Sequence, residues 1–302
     1  MINTKINIKN ITQDEFFFGH KACGGCGGSL TLRLALKVVG ERAFTVVPAG
    51  CMSAVGFIYP QMAFGVNAII SSFPGTASML SGVAAGTRAL GLENYHAIGF
   101  AGDGGTADIG LQALSGAIDR NDKIIYICYD NEAYMNTGVQ KSSLTPYGAS
   151  TTTTPAGKNA RGTVTHKKNI FEIVAAHGIA YAATASIGAV ADFLKKVEKA
   201  KHVNGTSYIH VFAPCHVGWG FDSSKTIEIS RKALSCGLWY LAEYENGDFA
   251  LNQNPKEFSS IEEYIYMQGR FKHLTSDDIA VIKNSRDKQW EKMRTKWVTK
   301  KV

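Results

Sequence analysis

The chain has 302 residues, 45% of them hydrophobic, and a formal net charge of +7 at pH 7. This length allows one large α/β domain with its own core, and no apolar run approaches the ~20 residues of a membrane-spanning helix. The N-terminus lacks the apolar centre of a signal peptide, so we expect a cytoplasmic protein. Much of the basic excess lies in 288–301, which favours either a solvated tail or a surface for an acidic partner; no motif indicates nucleic-acid binding.

The first predicted elements surround small residues and cysteines. A glycine-rich loop carries Cys23 and Cys26 as a Cys-x-x-Cys pair, and helical periodicity follows over 30–39. A short strand over 44–47 leads to Gly50, Cys51 and Met52. Range 71–90 is rich in small residues, which predicts a helix packed tightly against another backbone.

The centre of the chain predicts strand, glycine turn, helix, strand. An apolar run over 97–101 is followed by Gly102-Asp103-Gly104-Gly105, a helix-like range over 107–120, and a second apolar run over 124–129 that ends beside Asn131. Glycines after a strand let the backbone approach an anion, whereas Asp103 would repel a bare phosphate. Mg²⁺ resolves this conflict by bridging carboxylate and phosphate. Asn131 ends the neighbouring parallel strand, so its amide oxygen can reach the same ion. The alternative is an ordinary βαβ turn with an Asp cap.

The C-terminal half predicts the rest of one sheet. The polar loop over 136–168 is long enough to indicate a functional role. Helices are expected over 171–177 and 190–200, and strands over 179–184 and 208–212, the last leading to Cys215. From Trp239 onward the chain is more polar, and we expect it to wrap over a partner rather than form a second core.

Two strings in the centre are more specific. GDGGTADIGLQALSG (102–116) and YDNEAYMNTG (129–138) resemble the β subunit of 2-oxoacid:ferredoxin oxidoreductases, closest to the pyruvate branch. The resemblance covers about 20–215. It implies a thiamine diphosphate-binding α/β fold, with a mainly parallel sheet and helices on both faces. We therefore expect a cofactor-binding domain over 1–240 and a C-terminal extension over 241–302 at a subunit interface.

The resemblance also implies the chemistry and its cofactors. The expected reaction is the reversible oxidative decarboxylation of pyruvate to acetyl-CoA and CO₂, with thiamine diphosphate, Mg²⁺ and a [4Fe–4S] cluster as cofactors and ferredoxin as electron acceptor. Mg²⁺ ligands would be Asp103, Asn131 and the backbone carbonyl of Ala133. The remaining cofactor contacts would come from Gly50, Cys51, Met52, Gly102, Gly104, Gly105 and Asn136, with Asn136 also reaching the reacting substrate. Asp108, just past the glycine turn, either faces the thiazolium or caps a helix.

The six cysteines divide into two groups. Cys23, Cys26, Cys51 and Cys215 follow strands or lie in loops, and four thiolates can hold either a [4Fe–4S] cluster or structural zinc. The resemblance implies that these four ligate the cluster. Cys128 and Cys236 lie in apolar segments and are expected to be packed core thiols.

Several alternatives stay open. The same machinery can act on oxalate, 2-oxoglutarate, or an aryl or branched 2-oxoacid. Two other functions also stay open: a cluster-free thiamine decarboxylase with zinc, and a non-catalytic electron-transfer module. Glu15, Glu41 and Glu93 look like surface residues, so we expect companion subunits to supply the glutamate that activates thiamine.

Overall fold

The computed structural model describes residues 5–299. Its helices are α1 (Gly27–Val39), α2 (Cys51–Gly56), α3 (Thr76–Ala89), α4 (Asp103–Ala107), α5 (Leu111–Asp119), α6 (Ile170–Ala176), α7 (Val190–His202), α8 (His216–Trp219), α9 (Thr226–Ser235), α10 (Ile261–Tyr266) and α11 (Ser276–Lys296). Its strands are β1 (Ala43–Pro48), β2 (Phe57–Ile58), β3 (Gln61–Met62), β4 (Asn67–Ser71), β5 (His96–Gly102), β6 (Ile124–Asp130), β7 (Ala156–Gly157), β8 (Ala160–Arg161), β9 (Tyr181–Ser186), β10 (Ser207–Phe212), β11 (Ala242–Glu245), β12 (Asp248–Leu251) and β13 (Val298–Thr299).

Nine strands form one sheet in the order β13-β12-β11-β9-β10-β6-β5-β1-β4. Six neighbouring strands of this sheet, β9, β10, β6, β5, β1 and β4, are parallel, as the resemblance implies for this fold. β11 and β12 continue the sheet in antiparallel pairing, and β13 runs parallel to β12. β6, β9 and β10 are buried along their whole length, so their sequences are mostly apolar and do not alternate between apolar and polar residues.

Helices cover both faces of the sheet. On one face, α1 and α7 pack together over a core that includes Leu32, Leu36 and Phe193. On the other face, α3, α5, α6 and the end of α11 cover a second core. A third cluster, around α9 and α10, lies beyond the carboxyl ends of the central strands. The predicted mainly parallel sheet with helices on both faces is confirmed, and no helix within residues 5–299 has the length and apolar character needed to cross a bilayer.

The predicted single helix over 107–120 is interrupted at 108–110. The chain forms the short helix α4, leaves helical geometry at Asp108 (φ −103°, ψ −90°), and starts α5 only at Leu111. Gly110 lies so close to the Gly105 carbonyl that a side chain would overlap it. This tight approach explains the break, because the backbone must fold back before the second helix begins.

The C-terminal residues take part in the main sheet and its core, which the sequence did not indicate. β11 pairs with β9 inside the main sheet, and Trp290 and Met293 of α11 are buried in the second core. The expectation that residues beyond Trp239 form no core is therefore wrong, and their role at a subunit interface stays a prediction. In the small-residue helix α3, a Cβ added at Gly82 or Gly86 would meet no atom of this chain within 4 Å, so tight packing of these glycines against another backbone, across a subunit interface, stays a prediction.

Candidate functional site

Strand pairing brings the two central motif residues together. β5 and β6 are adjacent and parallel, with Gly102 opposite Tyr129. Asp103 follows the end of β5 and Asn131 follows the end of β6, so both lie at the same edge of the sheet. One terminal atom of the Asn131 amide lies 2.8 Å from Asp103 Oδ1 and 3.0 Å from the Ala133 carbonyl oxygen. The three predicted Mg²⁺ ligands thus meet at one point.

The oxygen atoms that meet at this point fit the ligands of a hard cation such as Mg²⁺. With its nitrogen there, Asn131 donates two hydrogen bonds; with its oxygen there, three oxygens face one another as ligands of a cation do. Octahedral Mg²⁺, with ligands at about 2.0–2.1 Å, places neighbouring oxygens about 2.9 Å apart, close to the separations of 2.8 and 3.0 Å seen here. The amide and carbonyl donors suit Mg²⁺ in kind as well as in spacing.

Asp103 has an unusual environment for a carboxylate. Its side chain is fully buried, and Ser142 Oγ donates a hydrogen bond to its Oδ2. Burial and the nearby Asp130 charge raise the pKa of Asp103 well above its ordinary value, against the opposing effect of the Ser142 hydrogen bond. A cation at this point would favour the ionised form and offset the burial cost.

A cleft opens beside Asp103, with about 380 Å³ of empty space. It is lined by Ala49, Gly50, Cys51, Phe73, Gly102, Asp103, Gly104, Gly105, Tyr129, Asn131, Ala133, Tyr134, Met135, Asn136 and Thr137. Every predicted cofactor contact except Met52 lines this cleft. The Met52 side chain is buried beneath it, where a Cβ at Gly28 would meet its methyl group at 3.2 Å. Gly104 is required by close approach, since an added Cβ would lie 2.6–2.7 Å from carbons of the Tyr134 ring.

Behind the turn over 130–133 lies a cluster of buried charges that the sequence analysis missed. Lys167 Nζ lies 2.7 Å from Asp130 Oδ2 and 2.7 Å from Glu132 Oε1. Arg270 pairs with the other oxygen of Glu132, and His210 Nε2 lies 3.0 Å from Asp130 Oδ2. We call these five residues the charge cluster. A signal was present in the motif itself, because two carboxylates flank Asn131 at the end of an otherwise apolar strand.

Opposite charges keep Asp130 ionised. Burial alone would raise the pKa of Asp130, but the Lys167 ammonium and the His210 hydrogen bond outweigh it and lower the pKa to about 2. Burial likewise acts to lower the pKa of Lys167, yet the charges of Asp130 and Glu132 raise it above its ordinary value. The His210 pKa is lowered by burial. Since ionised Asp130 only accepts hydrogen bonds, His210 donates from Nε2 as a neutral ring.

The long loop over 136–168 closes over this edge of the sheet. Besides Ser142, which binds Asp103, the loop contributes Thr145 Oγ1, which donates to the Glu132 carbonyl at 2.7 Å. Its Ser143 N–H donates to Asp108 Oδ2 at 3.1 Å. Loop residues thus contact both sides of the Asp103–Asn131 pair, and the functional role of this loop stays a prediction.

Asp108 is not a helix N-cap, so that alternative is wrong. Gly110 occupies the N-cap position of α5. The Asp108 carboxylate instead accepts a hydrogen bond from Tyr134 OH at 2.9 Å, besides the one from Ser143. It therefore braces the Tyr134 ring that lies against Gly104, and it does not line the cleft.

The four candidate cysteines lie in one region at helix starts and in a loop. Cys26 is the N-cap of α1, Cys51 begins α2 and Cys215 is the N-cap of α8. The Gly27 N–H donates to the Pro214 carbonyl at 3.3 Å, which ties the loop of Cys23 and Cys26 to the segment of Cys215. Burial raises the pKa of Cys51 to about 12, and the charges of Cys215, Cys26, Asp103 and Cys23 add to this.

Their surroundings supply donors to sulfur. The Ser29 N–H donates to Cys26 Sγ at 3.4 Å, and backbone N–H groups of Gly218 and Val217 act on Cys215, although burial is the larger effect and raises its pKa.

Within residues 5–299, no three His, Cys, Asp or Glu side chains converge as ligands of a single ion. Cys51 lines the cleft as well, so the thiol region and the cleft share one residue. Cys128 and Cys236 are buried, as predicted.

Comparison with known proteins extends these observations. Residues 48–211 match the family model of the thiamine pyrophosphate enzyme C-terminal TPP-binding domain. The chain is 48% identical to pyruvate synthase subunit PorB of Methanothermobacter thermautotrophicus, covering 94% of this chain and 99% of that one. It is 46% identical to ketoisovalerate oxidoreductase subunit VorB of Pyrococcus horikoshii, with 93% of each covered. Identity to PorB of Thermotoga maritima is 40%, with 96% of each covered.

A solved structure supports the fold. The 2-oxoglutarate:ferredoxin oxidoreductase of Magnetococcus marinus superposes with a TM-score of 0.56 at 17% identity, covering 68% of this chain and 69% of that one. At this identity the likeness concerns the fold alone.

Proposed function

Because this chain belongs to the family of thiamine pyrophosphate enzymes that includes the PorB and VorB subunits, we propose that it is the β subunit of a 2-oxoacid:ferredoxin oxidoreductase. The reaction we assign is the reversible oxidative decarboxylation of pyruvate to acetyl-CoA and CO₂. Ferredoxin receives the electrons. The observation that carries the proposal is the meeting of Asp103, Asn131 and the Ala133 carbonyl at one point beside the cleft.

These three residues would hold Mg²⁺, and the backbone of Gly102, Gly104 and Gly105 would contact the diphosphate of the thiamine cofactor. When bound, thiamine diphosphate supplies the carbon nucleophile that attacks the 2-oxo carbon and allows CO₂ to leave. The protein's own part is to hold and orient. Asn136 lies exposed at the cleft, where its amide is available to a substrate carboxylate or carbonyl.

The test of cofactor binding is Asp103→Asn. We expect Mg²⁺-dependent affinity for thiamine diphosphate to fall by about 100-fold or more, since ligand loss should exceed the 10–100-fold typical of outer-shell changes. Isothermal titration at fixed Mg²⁺ measures it. Asp119→Asn, at the exposed end of α5, is the matched control and should leave affinity unchanged. Equal binding by Asp103→Asn would instead favour the non-catalytic module.

The thiol set Cys23, Cys26, Cys51 and Cys215 is proposed to hold a [4Fe–4S] cluster that passes electrons to ferredoxin. Its position beside the cleft, through Cys51, and the N–H donors to Cys26 and Cys215 support this assignment. The anaerobic absorption spectrum of the purified subunit tests it: a brown band bleached by dithionite marks iron–sulfur, whereas zinc is colourless. Cys51→Ser should lose iron and colour, while Cys128→Ala, a core thiol, should keep both. A colourless wild-type subunit that contains zinc would contradict the assignment.

Substrate choice has a second candidate. Relatives named for pyruvate and for ketoisovalerate are similarly close, at 48% and 46% identity. Comparing kcat/KM over a panel of 2-oxoacids, with methyl viologen as electron acceptor, separates the two candidate substrates. Each methylene by which two substrates differ in a pocket gives roughly 10–200-fold discrimination. We expect pyruvate to rank first, above branched and aryl acids, oxalate and 2-oxoglutarate.

Companion subunits complete the proposed enzyme by supplying the activating glutamate and further clusters. Purified alone with thiamine diphosphate and Mg²⁺, the chain should therefore show no pyruvate-dependent dye reduction. Adding the companion subunits should restore it. Full turnover by the chain alone would refute this division of the site.

A further inference from the structure

The turn over 130–133 points its side chains in two directions. Asn131 lines the cleft, beside Asp103. Glu132 lines a separate, partly open pocket, together with Lys167, His210 and Trp239. The turn therefore presents a cation-binding side on one face and a charged side on the other.

One ammonium group bridges the two carboxylates of the charged side. Lys167 Nζ lies 2.7 Å from the carboxylates of both Asp130 and Glu132, the residues immediately before and after Asn131. Such a bridge fixes the separation of the two flanking side chains. It thereby limits how the peptide units on either side of Asn131 can rotate.

Glu132 itself has a backbone conformation that needs support. Its φ is +64°, a left-handed value that is uncommon for a residue other than glycine or asparagine. Such a conformation persists when surrounding contacts impose it. The next residue supplies the Ala133 carbonyl, so the dihedral angles of Glu132 help to set where that third oxygen lies.

The supports of Glu132 come from distant parts of the chain. Arg270 pairs with its second carboxylate oxygen, and this guanidinium is itself held 3.7 Å from the centre of the Trp219 ring. Trp219 Nε1 in turn donates to the Asn131 carbonyl at 2.8 Å. Arg270 lies in the C-terminal segment that the sequence analysis assigned to a subunit interface.

We propose that Lys167 and Arg270 are positioning residues for the cation site: by holding the carboxylates that flank Asn131, they set the Asn131 amide and the Ala133 carbonyl against Asp103. The inference rests on the proposed function, because it concerns the same Mg²⁺ site. Both residues contact the carboxylates that flank Asn131, and neither is one of the three proposed ligands.

Lys167→Met in the assembled enzyme tests the proposal. We expect the Mg²⁺ concentration that half-saturates thiamine diphosphate binding to rise about 10–100-fold, the range typical of residues that orient metal ligands. Lys167→Arg keeps the charge and should recover part of the loss. Arg270→Lys, which keeps the charge but loses the rigid guanidinium geometry, should shift Mg²⁺ dependence in the same direction and decides the matter if Lys167→Met does not fold.

Lys199→Met is the matched control. Lys199 also bridges two carboxylates, those of Glu243 and Glu245 at 3.0 and 2.9 Å, and its side chain is 26% exposed against 23% for Lys167. It lies at the opposite edge of the sheet, where Glu245 is paired with the first residue of β9. Its loss should lower unfolding stability without moving the Mg²⁺ dependence.

The outcomes separate this inference from the proposed function. Mg²⁺-dependent binding that is lost in Asp103→Asn but unchanged in both Lys167→Met and Arg270→Lys overturns the positioning role and leaves the proposed function intact. An equal shift in Lys199→Met also overturns it, since the effect would then be general destabilisation. If thiamine diphosphate binding by the wild-type enzyme does not depend on Mg²⁺, both the positioning role and the proposed function are overturned.

Discussion

Gly110 offers a direct test of how the glycine turn is shaped. Its backbone angles, φ −95° and ψ −5°, are available to any residue, so glycine is not needed there for conformation. Space is the constraint: a Cβ would overlap the Gly105 carbonyl oxygen and lie 3.1 Å from the carbonyl carbon. Both partners are backbone, so neither can rotate away.

The size of the effect follows from this overlap. Nonbonded heavy atoms need roughly 3.5 Å, so Gly110→Ala must push the Gly105 peptide aside by roughly 1 Å or more. Overpacking of this kind costs about 1–3 kcal/mol, and we expect about 3 because backbone must move. For a chain of this size that lowers the Tm by about 5 °C. A shift of that size beside the proposed cofactor site should also reduce turnover of the assembled enzyme, by up to about 100-fold.

Differential scanning calorimetry and dye-reduction assays measure the two effects. Gly86→Ala is the control, since a Cβ there meets nothing within 4 Å of this chain. In the interior of α3 it should be stabilising by about 0.5–1 kcal/mol. An unchanged Tm and unchanged turnover in Gly110→Ala would refute the reasoning that this approach shapes the turn.

Three further changes test the fold and its charges. Trp290→Ala should cost about 3–5 kcal/mol in urea unfolding, because this side chain is buried and donates to a backbone carbonyl; Val281→Ala, on the exposed side of the same helix, should cost little. A hydrogen bond from Arg33 is the main cause that lowers the pKa of Glu15 to about 2. The wild type should therefore exceed Glu15→Gln in stability by less than about 1 kcal/mol above pH 4.5, and the difference should vanish as pH falls towards 2. Trp219→Phe leaves a buried carbonyl of the 130–133 turn without its donor and should cost about 1–3 kcal/mol, measured by urea unfolding; an unchanged midpoint would contradict it.

The sequence was sufficient to predict the positions of those site residues that depend on strand order. Asp103 and Asn131 follow consecutive strands of a parallel sheet, and adjacent parallel strands end at the same edge. Their proximity therefore follows from local pattern and topology. The buried state of Cys128 follows in the same way from the apolar run around it.

Other parts depend on long-range packing that no local pattern encodes. Lys167 and Arg270 reach the turn from segments 35 or more residues away, and each is an ordinary basic residue in its own stretch. The break between α4 and α5 arises from contact of Gly110 with Gly105, where helical periodicity alone predicts a continuous helix. Polar composition beyond Trp239 concealed the few large side chains, such as Trp290, that anchor α11.

The contact between Arg270 and Glu132 joins residues 138 positions apart. During synthesis, the central strands and the whole 130–133 turn leave the ribosome long before Arg270 does. A nascent chain that ends before Arg270 lacks one of the two cations that contact the Glu132 carboxylate. The contacts of the candidate site in the middle of the sequence are thus complete only after most of the C-terminal part of the chain has been synthesised.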